Sequence, residues 1–377
     1  MRFTVRAASL GLTTVAAVAA YTVPAFAVTA AQGHRPSSAP VFVQTDNTGG
    51  NTVVAYDRAA DGTLHQAGSY STGGLGGDLP GTGPDHLASQ GALSYDAHAK
   101  LLYAVNAGSD TVTVFSVHGD RLVREQIISS GGSFPVSVTA QGDKVYVANT
   151  LAGGSIQGYL RVGHRLVEVP SWNRALAISP APAASANTVG QVGLTPDGSR
   201  VVVTTKGAGN SIEVFPLGRY GTPSALPVVN TVPGTAPFGL AFDAAGRLAV
   251  AQARTNSVAT YRVGHDGTLT AVAQAPTGQT ATCWILATSH RLYAANAASA
   301  SVTGFQDSGH GLTAISSTGT DPGAVDAAAS SDGRTLYDQT GINGIVDEFR
   351  VNPDGTLTPV GSVTVPGAVG GEGIVAL

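Results

Sequence analysis

A short pattern of apolar and polar positions recurs along the chain. Residues 101–115 read LLYAVNAGSDTVTVF, and residues 291–305 read RLYAANAASASVTGF. Each stretch has an apolar run, a polar turn of small residues, and an alternating run that ends at Phe. An alternation with a period of two on both sides of a polar turn is typical of a β-hairpin. The pattern therefore predicts that both stretches fold as hairpins.

Seven copies of this pattern can be aligned on their final aromatic residue. These residues are Tyr56, Phe115, Tyr159, Phe215, Tyr261, Phe305 and Phe349, at steps of 59, 44, 56, 46, 44 and 44 residues. A second turn, such as Asp266-Gly267, follows most copies, and a further apolar run precedes them. Four antiparallel strands in a unit of this length form a propeller blade. We therefore predict an all-β, seven-bladed β-propeller over residues 41–377, with two separate β-sandwiches as the alternative.

The two ends of the repeat region complement each other. The first copy begins directly with its hairpin at Val41, without a preceding inner strand. The last copy is followed by a spare apolar stretch, GIVAL, at residues 373–377. A strand from the C-terminus that completes the first blade would close the ring and leave no open sheet edge. We predict this closure.

Two connections between units are longer than the others. Residues 71–90 read STGGLGGDLPGTGPDHLASQ, and residues 179–186 read SPAPAASA. Both belong to connections that cross to the next inner strand, and such crossings line one face around the central channel. Small-molecule sites tend to lie in concave mouths of this kind. We therefore expect a small-molecule or glycan ligand at this channel face.

The first residues differ from the rest of the chain. Arg2 and Arg6 precede an apolar run at residues 7–20, and Ala25-Phe26-Ala27 has the small-residue pattern of a cleavage site. This is the pattern of a secretory signal peptide, whose apolar run is too short to span a bilayer. We predict a signal peptide at 1–27, a flexible leader at 28–40, and a secreted, extracellular protein.

The charge content limits the partners. Only 12% of the residues are charged, and the formal net charge is −4. Without a basic stripe, nucleic acid and membranes are poor partners. Cys283 is the only cysteine, so an intramolecular disulfide is excluded. A closed ring has no sheet edge to hide, so we expect a monomer.

Several of the repeated segments resemble a known family. They are Leu102-Tyr103-Ala104-Val105-Asn106, Val145-Tyr146-Val147-Ala148-Asn149, Leu194-Thr195-Pro196-Asp197-Gly198, Phe242-Asp243 and the Asp-Gly-Thr-Leu turns. These segments resemble those of the bacterial lactonase family of seven-bladed propellers. That family includes 6-phosphogluconolactonases and carboxymuconate-cyclising enzymes, and it is similar to propellers with YVTN repeats. The resemblance implies hydrolysis of a lactone or a related cyclic ester.

The chain departs from the motifs of the enzymatic members. Where the resemblance implies two His before the Pro-Asp-Gly turn, this sequence has Thr188 and Gly190. Where it implies Arg and His at an inner strand, the sequence has Phe238 and Gly239. Those groups would position an anionic substrate and move protons. The family's activity on acidic sugar lactones therefore does not transfer residue by residue.

The crossing loops and inner-strand starts hold the candidate site residues. Two carboxylates, Asp326 and Glu372, start neighbouring inner strands at the seam and are the candidate catalytic groups, with a solvated channel mouth or a bound cation as the alternative. The candidate ligand-binding residues are Asp85, His86, Gln90, Phe134, Gln191, Phe238, Cys283 and Trp284. A plain loop for Asp85-His86 and core packing for Cys283, Phe238 and Trp284 are the alternatives.

No cofactor follows from the sequence. The nine His are scattered, and their spacing with Cys283 fits no transition-metal motif. Loop aspartates and backbone carbonyls are the oxygen ligands that calcium and magnesium prefer, so a bound calcium or magnesium ion stays open. Two functions remain: a secreted lactonase-like hydrolase, and a non-catalytic secreted propeller that binds a glycan, a small metabolite or a protein.

Overall fold

The computed structural model describes residues 39–176, 178, 188–289 and 291–377, together with residues 1, 2 and 4. The predicted signal peptide at 1–27 and leader at 28–40 lie almost wholly outside the described residues, and so does the predicted insert at 179–186. The account below concerns the unit that runs from Pro36 to Leu377. In the described part of the chain, no helix is long and apolar enough to cross a bilayer.

The described strands form seven antiparallel sheets, six with four strands and one with a fifth, short strand. Blade 1 contains β1 (Val41–Gln44), β2 (Thr52–Arg58) and β3 (Leu64–Ser71); blade 2 contains β4 (Leu93–Asp96), β5 (Leu101–Asn106), β6 (Thr111–His118) and β7 (Arg121–Ser129). Blade 3 contains β8 (Pro135–Gln141), β9 (Lys144–Asn149), β10 (Ser155–Val162), β11 (Arg165–Glu168) and the added β12 (Arg174–Ala175). Blade 4 contains β13 (Gln191–Leu194), β14 (Arg200–Thr204), β15 (Ser211–Pro216) and β16 (Val228–Thr231).

The remaining blades repeat the same order. Blade 5 contains β17 (Pro237–Phe242), β18 (Leu248–Gln252), β19 (Ser257–Val263) and β20 (Leu269–Pro276); blade 6 contains β21 (Thr282–Ala287), β22 (Arg291–Asn296), β23 (Ser301–Asp307) and β24 (Leu312–Gly319). Blade 7 contains β25 (Ala324–Ala329), β26 (Thr335–Thr340), β27 (Ile345–Val351) and β28 (Leu357–Thr364), and the last strand is β29 (Ile374–Ala376). Short helical turns occur at Ala107–Ser109, Pro170–Trp172, Lys206–Gly209 and Arg219–Gly221. The predicted all-β, seven-bladed propeller is confirmed.

The ring closes as predicted. β29 pairs with β1, with Val41 opposite Ala376 and Val43 opposite Ile374. Gln44 N–H donates to Gly373 O at 2.8 Å, which extends the ladder beyond the last strand. The C-terminal strand therefore supplies the inner strand of blade 1, and the first and last segments of the propeller share one sheet.

Repeated tyrosines on the second strands join neighbouring blades. Tyr337 Oη donates to Gly62 O in blade 1 at 2.8 Å, and Tyr293 Oη donates to Gly355 O in blade 7 at 3.1 Å. Both glycines have positive φ, 99° and 89°, which the outer turn requires and an L side chain disfavours. The tyrosine and the Asp-Gly turn are therefore two halves of one contact between blades.

The inner strands, which are the first strands of blades 2–7 and β29 of blade 1, touch one another around the ring. Four of them have a register shift near their first residues, at Pro135/Ser137, Pro237/Leu240, Thr282/Trp284 and Val325/Ala327. A bulge of this kind leaves a residue off the ladder and redirects its side chain. In blades 5–7 the residues off the ladder include Phe238, Cys283 and Asp326, which are all predicted site residues.

Candidate functional site

One mouth of the channel is covered by the connection between blades 1 and 2. We call residues 72–90 the plug. Its Leu79 and Leu87 are 1% and 0% exposed, so the segment has its own apolar contacts. His86 N–H donates to Gly370 O at 2.9 Å, close to the seam of the ring. The plug is therefore an ordered part of the fold.

The last two residues of the plug bind to opposite sides of the ring. Gln90 N–H donates to Gly190 O in blade 4 at 2.9 Å. The Gln90 amide also pairs with Ile285 in blade 6, with Nε2 to O at 2.7 Å and Ile285 N to Oε1 at 3.0 Å. Ser89 Oγ donates to Val136 O in blade 3 at 2.9 Å. Because these blades surround the channel, the plug lies across its mouth.

Beneath the plug lies a cavity of about 270 Å³. Gln90, Gln191 and Asp326 line it, and most of its other lining residues are apolar. Gln90 and Asp326 are only 6% and 3% exposed, whereas Thr139 and Phe242, at the other end of the lining, are half-buried. The cavity is therefore closed at the plug and opens toward the opposite face of the ring.

A group of buried ionisable side chains surrounds the plug end of the cavity, and we call it the charged cluster. Its members are Asp46, Asp85, Lys206, Asp326 and Glu372, with exposures of 0%, 3%, 2%, 3% and 0%. Four carboxyl groups thus share one ammonium group. Since isolated charges are costly to bury, the protonation states in such a cluster depend on one another.

Asp326 and Glu372 form the centre of the charged cluster. The two carboxyls lie close enough for each to shift the pKa of the other. Asp326 Oδ1 accepts a hydrogen bond from Ala327 N–H at 2.9 Å, and its Oδ2 accepts one from Ile374 N–H at 3.3 Å. Glu372 Oε2 and Ser89 Oγ are hydrogen-bonded at 2.8 Å. The pair thus joins blade 7, the closing strand and the plug.

The two carboxyls of this pair differ in protonation. Burial raises the pKa of Asp326 to about 7, against backbone hydrogen bonds that lower it. Burial raises the pKa of Glu372 well above its usual range, and the charge of Asp326 adds to this effect. Two carboxyls in contact do not both ionise readily. Near neutral pH Glu372 keeps its proton, and Asp326 is the carboxyl that titrates.

Lys206 and Asp85 connect blade 4 to the plug. Lys206 Nζ donates to Ala88 O and lies 5.0 Å from the centroid of the Phe238 ring. Burial lowers the pKa of Lys206 to about 7, although the Asp85 charge opposes this shift. Burial likewise raises the pKa of Asp85 to about 6, while Leu87 N–H donates to its Oδ1 at 2.8 Å. An ionised Asp85 favours a protonated Lys206, and a protonated Lys206 favours an ionised Asp85.

The predicted aromatic and thiol site residues lie beside the charged cluster. Trp284 Nε1 donates to Ser89 O at 2.6 Å, and its ring centroid is 5.0 Å from that of Phe238. Burial raises the pKa of Cys283 to about 12, so the thiol stays protonated. A thiolate is the nucleophilic form of Cys, so Cys283 is placed as a neutral, packed side chain.

Two predicted residues stand at the rim instead. His86 is half-buried, and its imidazole packs on the backbone of Gly370. Phe134 is half-buried, has a φ of 60°, and lies against Gly77 of the plug. The structure therefore brings eight of the predicted residues together at the closed end of the channel: Asp85, Gln90, Gln191, Phe238, Cys283, Trp284, Asp326 and Glu372.

Sequence reasoning missed three buried charged groups. Asp46 lies in the first hairpin turn. Every aligned copy has polar residues in that turn, so the sequence pattern did not single out Asp46. Lys206 lies in the equivalent turn of blade 4. The chain has only three lysines, so a lysine in this turn was a signal that sequence reasoning could have used. Asp338 lies inside β26, where Ala104 and Ala294 stand in blades 2 and 6, so a charge in an apolar strand position was a second signal.

No group of three or more His, Cys, Asp or Glu side chains among the described residues is arranged to hold a metal ion. The charged cluster carries its own cation, Lys206, and backbone N–H groups already donate to Asp85 and Asp326. The carboxyls of the charged cluster are thus balanced by protons and by the ammonium group of Lys206.

The fold and the site together define a seven-bladed propeller with one closed channel mouth and a blind, polar-ended cavity. The chain belongs to the family described as lactonase, 7-bladed beta-propeller, whose model matches residues 40–161 and 173–287. A search of the curated proteins gives no match.

Solved structures share the fold at low sequence identity. A Bacteroides uniformis protein, whose assignment to the 6-phosphogluconolactonases is itself provisional, is 15% identical with a TM-score of 0.75, covering 91% of this chain and 100% of that one. A Lactobacillus plantarum protein is 18% identical with a TM-score of 0.73, covering 90% and 99%. The periplasmic gluconolactonase of Pseudomonas aeruginosa is 18% identical with a TM-score of 0.67, also covering 90% and 99%.

Proposed function

We propose that the protein is an exported hydrolase that opens a small, uncharged lactone or related cyclic ester in the channel cavity. The observation that carries this proposal is Asp326, a buried carboxyl with a pKa of about 7 in the wall of the channel cavity. A general base is most effective when its pKa lies near the working pH. Membership of the lactonase family supports the choice of reaction.

In the proposed reaction Asp326 takes a proton from a water molecule as that water attacks the lactone carbonyl. The ring C–O bond then breaks, and Asp326 passes this proton to the ring oxygen, which becomes the hydroxyl of the product hydroxy acid. Glu372, which keeps its proton beside Asp326, orients the base. Gln191 Oε1 accepts from Leu240 N–H at 2.6 Å, so its Nε2 is the half of the amide that can donate to the substrate carbonyl.

The cavity favours an uncharged substrate. Asp326 is the only ionisable side chain among the described residues that line it. Gly190 and Phe238, which stand where the family resemblance implies His and Arg, are in close backbone contact, since a Cβ on Gly190 would lie 2.5 Å from Phe238 O. A carboxylated or phosphorylated lactone would meet carboxyls without a cationic partner in the lining, which is unfavourable in a buried site.

The test is pH-stat hydrolysis of a panel of neutral and acidic lactones by residues 28–377. We expect neutral lactones to be hydrolysed and kcat/KM to rise with pH through about 7, because the base must be ionised. Asp326→Asn should lower kcat by about 100-fold or more. Glu372→Gln keeps a hydrogen-bond donor for Asp326 and should cost less. Asp78→Asn, in the exposed part of the plug, is the matched control.

A folded protein without turnover would sink the hydrolase proposal. The non-catalytic alternative then gains support if a neutral lactone or sugar still binds saturably and Gln191→Ala weakens that binding. Turnover that survives Asp326→Asn unchanged would instead remove Asp326 from the mechanism and leave the activity in place.

Export is part of the proposal and has its own support. The charged start at Arg2 and Arg6, the apolar run at 7–20 and the Ala25-Phe26-Ala27 site form a signal-peptide pattern. N-terminal sequencing of protein from the culture medium should begin at Val28. Protein that stays inside the cell with Met1 intact would contradict export without touching the catalytic proposal.

A further inference from the structure

A second cavity lies between blades 6 and 7, on the face toward which the channel opens. It has a volume of about 470 Å³, and its lining includes Arg291, Arg334 and Arg350. Arg291 starts β22, Arg334 precedes β26, and Arg350 faces Thr335 across the β26–β27 ladder. We call this cavity the arginine cleft. It gathers three arginines on a chain whose formal net charge is −4.

The acidic side chain in the lining offsets only part of this charge. Asp332 already accepts hydrogen bonds from Ser330 Oγ at 2.6 Å and from Arg334 N–H at 3.1 Å. Its cationic neighbours are Arg334 and Arg58, and Arg58 Nη1 lies 3.6 Å from Asp332 Oδ1. Hydrogen bonding by Ser330, against a burial effect, lowers the pKa of Asp332, so it stays ionised and paired. Arg334 and Arg350 are exposed at the cleft surface.

The arginine cleft is continuous with the channel mouth. A neighbouring cavity of about 430 Å³ shares Thr288, Ser289 and Asp332 with the cleft. That same cavity is lined by Phe242, which also lines the channel cavity. The three cavities thus form a groove from the channel mouth across blades 5, 6 and 7. Hydroxyl-bearing residues and Asp243, which is paired with Arg247, lie along its middle, and the arginines lie at its end.

We propose that this groove binds an acidic glycan, a polyhydroxylated chain whose carboxylate or phosphate groups pair with the arginines. The planar guanidinium fork matches both anions in a bidentate way. Thr288 and Ser289 offer hydroxyl groups to the hydroxyls of the chain. A protein partner would need buried aromatic or aliphatic anchors, and the described lining of the arginine cleft contains no aromatic side chain to pair with them. This site is separate from the proposed hydrolysis in the channel.

The test is equilibrium binding to residues 28–377, with fluorescent tetragalacturonate as the carboxylate probe and its methyl ester as the uncharged match. A short poly(glycerol phosphate) is the phosphate probe. We expect saturable binding of at least one anionic probe, weaker binding of the methyl ester, and a loss of affinity as salt rises from about 0.05 to about 0.5 M. The preferred anionic probe identifies the anion.

The variants locate the site. The double variant Arg334→Gln, Arg350→Gln should weaken anionic binding by about tenfold or more. The double variant Arg121→Gln, Arg165→Gln removes two exposed arginines on blades 2 and 3 and should leave binding unchanged. Equal binding of the ester and the acid, unchanged binding by the first double variant, or no binding of either anionic probe would overturn the proposal. Lactone turnover enters none of these readouts, so the two proposals can fail separately.

Discussion

Asp338 occupies a strand position that is apolar in the neighbouring blades. It is 0% exposed, and neither carboxyl oxygen accepts a hydrogen bond from any described residue. It faces Asp347 across the β26–β27 ladder. Burial raises the pKa of Asp338 well above its usual range, and the charges of Asp347 and Asp326 add to this effect. Asp338 therefore stays protonated where a free aspartate would ionise, and this costs stability.

Replacing Asp338 should stabilise the fold. Asp338→Val introduces the residue found at the same position in blades 3, 4 and 5 as Val147, Val203 and Val250. Removing a buried, unsatisfied polar group should raise the free energy of unfolding by about 1–3 kcal/mol. Chemical denaturation at several pH values measures this change.

The pH dependence of this gain has a defined sign. The pKa of Asp338 is higher in the folded state than in the unfolded state, so the wild type loses stability as pH rises from about 4 toward the folded-state value. The advantage of Asp338→Val should therefore grow with pH. A variant that is less stable at pH 8, or whose gain is the same at pH 4 and pH 8, would show that Asp338 has a partner that offsets its burial.

The plug is the element that distinguishes this propeller from a plain ring. Its sequence is rich in Gly and lacks any apolar period, so it predicted only a connection near the channel face. The covering of the mouth depends on contacts between residues far apart in the chain, such as Ser89 with Glu372 and Gln90 with Ile285. No local pattern encodes such contacts, and for this reason the closed mouth could not be predicted.

Lys206 should control the opening of the plug. Lys206→Met removes the ammonium group that binds Ala88 O and leaves Asp85 as a buried charge without its cation. Breaking a buried pair in this way costs on the order of 3 kcal/mol, or about a hundredfold faster local opening. Hydrogen exchange with mass spectrometry should show faster exchange in residues 79–90.

The matched control for this experiment is Lys100→Met. Lys100 and Lys206 both have positive φ, 54° and 45°, so Met meets the same backbone preference at either site. Lys100 is exposed, whereas Lys206 is 2% exposed. Equal exchange in the two variants would mean that backbone conformation, and not the buried charge, sets the stability of the plug.

At the scale of the whole molecule, the ring and its closure were predictable. The alternation with a period of two is a local pattern, and it occurs in seven copies along the chain. The spare strand at residues 373–377 and the missing one before Val41 specified the seam. The positions of Asp326 and Glu372 at that seam followed from the same repeat. Their burial beneath the plug and the position of Lys206 did not follow, because both depend on side chains that meet across the ring.

Ring closure should contribute several kcal/mol to stability. Deleting residues 373–377 removes Ile374, which is 4% exposed and packs with Val41 and Val43. The loss of one buried Ile and of a strand ladder should lower the free energy of unfolding by about 5 kcal/mol. It also exposes the edge of β1, so size-exclusion chromatography should show association.

A circular permutant is the control for the deletion. Leu377 N–H donates to Pro40 O at 3.0 Å, so a short linker can join the two ends, and the exposed turn at Gly142 can supply new termini. The permutant keeps every strand and should keep the wild-type stability. If the deletion protein is as stable as the permutant, the seam contributes little and the blades are held by their neighbours alone.

The plug also sets an order of events during synthesis. It lies between the first and second blades in the chain, so it leaves the ribosome before most of the ring exists. Its partners Gly370 and Glu372 follow the seventh blade in the chain. The segment must therefore wait without these two partners until the strand that closes the ring has been made, and a completed plug reports that the ring is complete.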